Sequence, residues 1–338
     1  MKLKPVGEQV VVLFGASSGI GRETALQFAG RGAKVVAVGR RRAALDSLSQ
    51  DIRMDGGICV PLIADAADFD QVKQVAEDTV KRFGRIDTWV QLAAVSLYAP
   101  FEQHEPEEFH RIIDVNLVGA AYGAMAALPS LKQSGGGALI MVTSVEAVQA
   151  IPYHAAYAAS KHGLRAMTEV IRMELAAEGA PVSVTNVMPA SIDTPFFEVA
   201  KTRLGVKPRA VPPVYEPEVV ARAILFAAEH PSRDLAAGGA GKSFIMLKRI
   251  SPSAADKLMV WAGFTLQKTR EEKGPDAPNN LFAPLVDGPV GPRGYMSKEA
   301  RSWSTYTWWE THPAAHWAGR ALAVAGLGLL TARLVRQK

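Results

Sequence analysis

The sequence predicts a doubly wound parallel α/β sheet with helices on both faces, followed by a mainly helical and irregular C-terminal extension. Three observations carry this. From residue 10 onward, short β-branched runs alternate with helical stretches, the pattern of β-α-β units and a parallel sheet. Those runs are apolar nearly throughout instead of at every second residue, as expected of strands covered on both sides. The first run also passes directly into a glycine-bearing turn, 15-GASSGIG-21, and then a helix.

The first strand is 10–14 (VVVLF), and a helix over 20–32 follows the turn. A strand at 34–39 and a helix over 41–56 lead to a third strand at 58–63. Then come a strand at 86–92, a long helix over 106–133, a strand at 138–144, a helix over 154–178, a strand at 182–188 and a helix over 216–230. The last core strand has two candidates, 233–238 and 243–247. The first is preferred, because the strand should follow the helix ending near His230 after a short turn. Residues 241–267 then read as two short helices broken at 251–253, and the Pro/Gly-rich stretch 274–294 should lie over the surface. The division expected is a main domain of residues 1–250 and an extension of residues 251–338.

A chain of 338 residues accommodates one large domain plus an extension. Hydrophobic residues make up 48% and charged residues 21%, enough to bury a core and without the signature of disorder. The 38 basic and 33 acidic residues are dispersed, and no recognition motif accompanies the slight excess, so nucleic acid is not an expected partner. A lone cysteine, Cys59, excludes an internal disulfide and reads as a small buried hydrophobe in a reducing, cytoplasmic setting. The apolar run 10–15 is too short for a signal peptide and lacks a cleavage pattern. Near the end, the apolar run 321–332 lies between Arg320 and Arg333, short of the roughly 20 residues a membrane span needs. Its flanking tryptophans and arginines suit docking on the protein or a second subunit, or an interfacial helix in peripheral contact with a membrane, with a true span as the third reading.

The glycine turn has a physical use. Gly15, Gly19 and Gly21 allow the backbone to turn tightly and approach a pyrophosphate at the helix N-terminus, where free N–H groups and the positive dipole end gather. Ser17, Ser18 and Ile20 fill the same turn. At the end of the second strand a dinucleotide site for NAD places a carboxylate on the ribose 2′-hydroxyl. Gly39 stands there instead, followed by Arg40 and Arg41, which can pair with a 2′-phosphate. NADP(H) is therefore favoured over NAD(H).

In 153-YHAAYAASKHGL-164, Tyr157 and Lys161 are four apart and share a helix face. A free tyrosine titrates near pH 10, and an adjacent ammonium, with the positive nicotinamide ring nearby in the oxidised complex, favours its phenolate and brings the pKa toward the working range. Ser144 falls at the C-terminal end of a strand, where open α/β sheets hold ligands. Its hydroxyl can hold a substrate carbonyl oxygen within reach of Tyr157. No metal site is predicted.

With the G-x-x-x-G-x-G turn, Ser144 thirteen residues before Tyr157 and the Y-x-x-x-K pair, residues 8 to about 240 resemble the short-chain dehydrogenase/reductase family. The resemblance implies a Rossmann-type fold and hydride transfer between a nicotinamide and a carbonyl or secondary alcohol, with Tyr157 as acid/base and Lys161 on the nicotinamide ribose. It implies that Asn116 breaks a helix and holds a water linking Lys161 to solvent. It further implies that Asp65 meets the adenine amino group and that Ala93, Pro189, Ile192 and Thr194 line the cofactor side. Homo-oligomers are usual in the family, through helices such as 154–178. The chain departs from the pattern at Phe14, where threonine is usual, at Gln91 and Leu92, which replace two asparagines, and at Ala190, which replaces glycine.

The candidate lid, 193–217, carries Phe196, Phe197, Val199, Leu204 and Tyr215, which suits an apolar small-molecule carbonyl or alcohol substrate. Its Lys201, Arg203, Lys207 and Arg209 read as a solvated basic face. The alternative function is a non-catalytic NADP(H) sensor or membrane-associated binding protein on the same fold. The intact Ser144, Tyr157 and Lys161 argue against it.

Overall fold

A computed structural model describes residues 1–312; the apolar run 321–332 and its three readings lie outside the described residues. β1 (Val10–Phe14) passes through the glycine turn into α1 (Gly19–Gly30), and β2 (Lys34–Gly39), α2 (Arg42–Met54) and β3 (Ile58–Ile63) complete the first winding. α3 (Phe69–Phe83) then leads to β4 (Thr88–Gln91) and the short β5 (Leu97–Tyr98). The sequence reading leaves α3 unassigned, although it carries both end signals: Asp68 accepts the Gln71 N–H at its start, and Gly84 ends it in the left-handed region at φ 80°. α4 (Pro106–Ile113) and α5 (Gly119–Gln133) are the expected long helix, interrupted by a π-turn at Asp114–Val118. β6 (Gly137–Val142), α6 (Ala155–Ala177) and β7 (Val182–Pro189) follow; then α7 (Phe196–Val199), β8 (Lys201–Thr202), β9 (Val206–Pro208), α8 (Pro217–Glu229) and β10 (Asp234–Ala237).

The main sheet runs β10-β7-β6-β4-β1-β2-β3, and its neighbours pair in parallel. Strand order reverses at β1 and β4, so a crevice opens at their C-terminal ends, where ligands of doubly wound sheets bind. Alternate residues of β1 feed two cores. Val11 and Leu13 pack with Phe28 of α1, Leu48 of α2 and Ile224 of α8. Val12 and Phe14 pack with Val75 of α3, Ala124 of α5 and Leu164 of α6. This explains the continuous apolar strands, each such buried side chain contributing on the order of 2 kcal/mol.

The last core strand is β10, within the preferred candidate 233–238, and 243–247 lies inside α9 (Gly239–Ile250). Ser251 breaks α9 from α10 (Pro252–Leu258), and a π-turn at Met259–Gly263 and α11 (Phe264–Leu266) finish the helical part of the extension. β11 (Lys268–Glu272) pairs antiparallel with β9, and α12 (Thr305–Glu310) packs near β10. The extension is thus laid over residues 1–250. The Pro/Gly-rich stretch crosses the mouth of the crevice, with Leu281 fully buried and its backbone carbonyls bonded by Arg40, Arg41 and Arg111. Cys59 is buried, and burial pushes its thiol up to about 11.

By length and composition the helix Pro106–Gln133 could cross a membrane, yet Ala120, Ala124, Ala127 and Leu131 are buried in the core beneath it.

Candidate active site and dinucleotide cleft

The glycine turn is built for close approach. Gly15 adopts φ +104°, and a Cβ there would meet the Ala93 nitrogen at 2.7 Å. A Cβ on Gly21 would meet the Gly15 carbonyl oxygen at 2.1 Å, so helix α1 can begin against β1 only with glycine. Where threonine is usual, Phe14 stacks on Trp89 at 6.1 Å between ring centroids. The turn is still fixed by backbone bonds from the Gly15 and Ala16 N–H groups to the Val38 carbonyl. Gln91, in place of asparagine, accepts from the Trp89 indole at 3.1 Å. Ala190 keeps its place because Gly238 faces it; a Cβ on Gly238 would meet the Ala190 Cβ at 2.7 Å.

A cavity of about 270 Å³ runs from this turn to the far end of the crevice. Gly15, Ser17, Ser18, Gly19, Ile20, Gly21, Arg40, Asp65, Ala93, Pro189, Ile192 and Thr194 all line it, as do Ser144, Tyr157 and Lys161. Arg41 does not: its guanidinium donates to the Gly288 and Pro289 carbonyls at 2.7 and 2.8 Å. Asn116 sits behind the wall. Its amide accepts from the Val95 N–H at 2.8 Å and donates to the Val95 carbonyl and Ser160 hydroxyl, tying the loop after β4 to α6 from inside the π-turn. Burial pushes the Asp65 carboxyl up, but the Ala67 N–H and Arg111 outweigh it and hold it below the ordinary range.

At the far end Ser144 and Tyr157 line the cavity together, and the Ser144 hydroxyl accepts the Glu146 N–H at 3.1 Å. Lys161 is buried, its Nζ 5.4 Å from the centre of the Tyr157 ring, and it donates to the Val142 carbonyl at 3.1 Å. The expectation that the ammonium lowers the phenol needs correction. Burial pushes Tyr157 well above its ordinary value, the Glu146 charge adds to this, and the neighbouring Ser144 hydroxyl opposes it only in part. Burial likewise pulls Lys161 down to about 8, partly offset by Glu146.

Glu146 and His154 were not singled out from sequence, although His154 lies in the Tyr157 segment and Glu146 two residues after Ser144. Both line the cavity, and the His154 Nδ1 meets the Glu146 carboxylate at 2.9 Å. The His154 ring lies edge-on to the fully buried Tyr98 at 4.0 Å, and neither His154 Nε2 nor the Tyr98 hydroxyl has a partner. From the lid, Phe196, Phe197 and Val199 line the cavity; Leu204 does not, and Tyr215 is buried with its hydroxyl accepting the Ala240 N–H. The lid's cations are not a solvated face. Lys201 and Arg203 pair with the buried Glu108, Lys207 with Glu271, and Arg209 with Glu299. Two residues of the extension, Gln267 and Asn280, also line the cavity.

The family model described as short chain dehydrogenase matches residues 9–204. This chain belongs to the short-chain dehydrogenase family. Among its relatives, the protein described as uncharacterized oxidoreductase YxnA of Bacillus subtilis is 39% identical over 333 residues, covering 97% of this chain and 91% of that one, extension included. The 3-oxoacyl-[acyl-carrier-protein] reductase FabG of Thermotoga maritima is 34% identical over 227 residues, 66% of this chain and 92% of that protein. In structure, a short-chain type dehydrogenase/reductase from Mycobacterium marinum superimposes with a TM-score of 0.63 at 26% identity, covering 70% of this chain and 96% of that one. An alcohol dehydrogenase from the archaeon Thermococcus sibiricus, complexed with 5-hydroxy-NADP, gives 0.60 at 25% identity over 68% and 95%. As a short-chain dehydrogenase the chain is an oxidoreductase of a family that binds a nicotinamide cofactor.

Proposed function

We propose that this protein reduces an apolar ketone or aldehyde with NADPH, and runs in reverse as an alcohol dehydrogenase. The observation that carries the reading is that Ser144, Tyr157 and Lys161 line the end of the same cavity that begins at the glycine turn. The residues present fit a dinucleotide: Gly15 and Gly21, where a Cβ would collide with the Ala93 nitrogen and the Gly15 carbonyl, hold the tight turn that brings the start of α1 to the cavity. When bound, the reduced nicotinamide supplies the hydride. Ser144 and Tyr157 hold the carbonyl oxygen, and Tyr157, kept protonated by burial and by Glu146, gives it the proton. Lys161, with its Nζ 5.4 Å from the Tyr157 ring centre, would hold the cofactor ribose through its ammonium.

A preference for NADP(H) rests on Gly39, which offers no carboxylate, and on Arg40, the arginine of the pair that lines the cavity. Tyr98, Val145, Ile151, Phe196, Phe197 and Val199 line its far end, which favours an apolar substrate. Exposed Met125 on α5 and Val170 and Met173 on α6 support a homo-oligomer through those helices, testable by sedimentation. Replacing Tyr157 by Phe is expected to cut carbonyl reduction by about 10²- to 10⁴-fold while NADPH still binds. Undiminished turnover would refute the role of Tyr157. NADPH binding without oxidation, across a ketone screen with the wild-type protein, would favour the sensor reading.

A further inference from the structure

We infer that residues 280–294 of the extension are part of the dinucleotide site: this strap roofs its adenosine end, and the cofactor is released only when the strap lifts. The inference rests on the reading of the cleft given above. Three sets of contacts support it. Arg40, at the end of β2, donates to the Asn280 and Phe282 carbonyls at 2.6 and 3.0 Å, and Arg111 donates to the Leu281 carbonyl at 3.2 Å. Further along, Arg41 holds the Gly288 and Pro289 carbonyls, and the Gly19 N–H of the glycine turn donates to the Gly291 carbonyl at 3.1 Å. Finally Gly294 lies so close to the nicotinamide side that a Cβ on it would meet the Thr194 carbonyl oxygen at 2.5 Å, and Asp193 accepts from Met296 N–H and the Ser297 hydroxyl just beyond. The strap is therefore tied near its start by Arg40 and further along by the Gly19 N–H, both of which line the cleft, and is held beside it by Arg41, Arg111 and Asp193.

The strap takes the Gly19 N–H but leaves the cavity beneath it open. The cavity beneath remains continuous, bounded by Gly39 and Asp65 near one end, Tyr157 at the other, and Asn280 from the strap itself. The Asn280 Oδ1 is buried and has no hydrogen-bond partner, an unfavourable arrangement that a donor reaching it as the strap shifts would relieve. A ribose hydroxyl or the adenine amino group is a donor of the right kind at that end. Arg40 uses two of its five guanidinium N–H groups on the strap, which leaves donors for a phosphate. Leu281, fully buried against the core on the α3 and α5 side, is the apolar anchor that keeps the roof down.

Release of NADPH is the measurement, by stopped-flow displacement with excess NADP⁺ and nicotinamide fluorescence. Leu281→Ala is expected to speed release by about tenfold, the equivalent of 1.4 kcal/mol of lost closure, with the thermal melt used to establish that the variant is folded. Hydrogen exchange on the wild-type protein gives an independent readout. NADPH should protect the amides of 280–294, whereas reduced nicotinamide mononucleotide, which lacks the adenosine half, should not. Equal release rates together with unchanged strap exchange would overturn the inference, as would tighter NADPH binding by the variant, since that is the mark of a plug. No binding of NADP(H) by the wild-type protein would instead remove the reading of the cleft itself, and the strap's role with it.

Discussion

The Glu146 carboxylate meets His154 Nδ1 at 2.9 Å inside the same cavity that holds Ser144 and Tyr157. After burial, its charge is the main influence that keeps the Tyr157 phenol protonated. A negative charge next to a phenol opposes formation of the phenolate, so the pair biases Tyr157 toward proton donation. Glu146→Gln removes that charge, and the Tyr157 pKa should fall. In carbonyl reduction, which needs the phenol, the alkaline limb should move to lower pH; in alcohol oxidation, which needs the phenolate, activity should rise from a lower pH than in the wild type. Rate profiles in both directions check this, and a limb that stays in place excludes Glu146 as the tuning group.

Lys161 makes a second pH prediction. Burial sets its pKa at about 8, below its ordinary value, so it is charged below pH 8 and neutral above. An ammonium that bonds the cofactor ribose is lost as pH rises through that value. NADPH affinity should therefore weaken above pH about 8, measured by fluorescence titration. Lys161→Met, with no ionisable group there, should abolish that limb and bind weakly at all pH values.

Phe14 gives a stability prediction. It is buried, stacks on Trp89 and directly precedes the glycine turn. Phe14→Ala should cost about 3–5 kcal/mol by opening a cavity in the core, read by urea denaturation.

The fold was legible because its parallel strands are apolar on both faces and its glycine turn follows β1 directly. Much of the cleft was legible for the same reason: Gly15, Ser144, Tyr157 and Lys161 sit at fixed places along elements whose register the strands dictate. What sequence could not supply was contact between distant segments. Arg40 and Arg41 read alike as partners of a phosphate, yet only Arg40 lines the cavity, because Arg41 turns to carbonyls 247 and 248 residues away. The lid cations looked solvated because Glu108, the partner of two of them, lies on α4, far back in the chain. Helix α3 was missed for a different reason: its polar face dominates the composition, and only the Asp68 and Gly84 ends mark it.

Glu108 links α4 to the start of the lid. Its carboxylate is buried and bonded bidentately by Arg203, at 2.6 and 3.0 Å, with Lys201 at 2.7 Å. Burial pushes its pKa up, but these cations outweigh that and hold it at about 2, below the ordinary glutamate value near 4.3. A carboxylate with a depressed folded pKa adds stability that is fully present above the unfolded value and is lost as pH falls toward the folded one. Glu108→Gln should therefore cost about 2–3 kcal/mol at pH 7. The gap to the wild type should narrow between pH about 4.3 and 2 as the wild-type carboxylate is protonated. Urea midpoints measured at pH 7 and pH 3 check this, and a gap that is the same at both would mean that Glu108 acts by shape and not by charge.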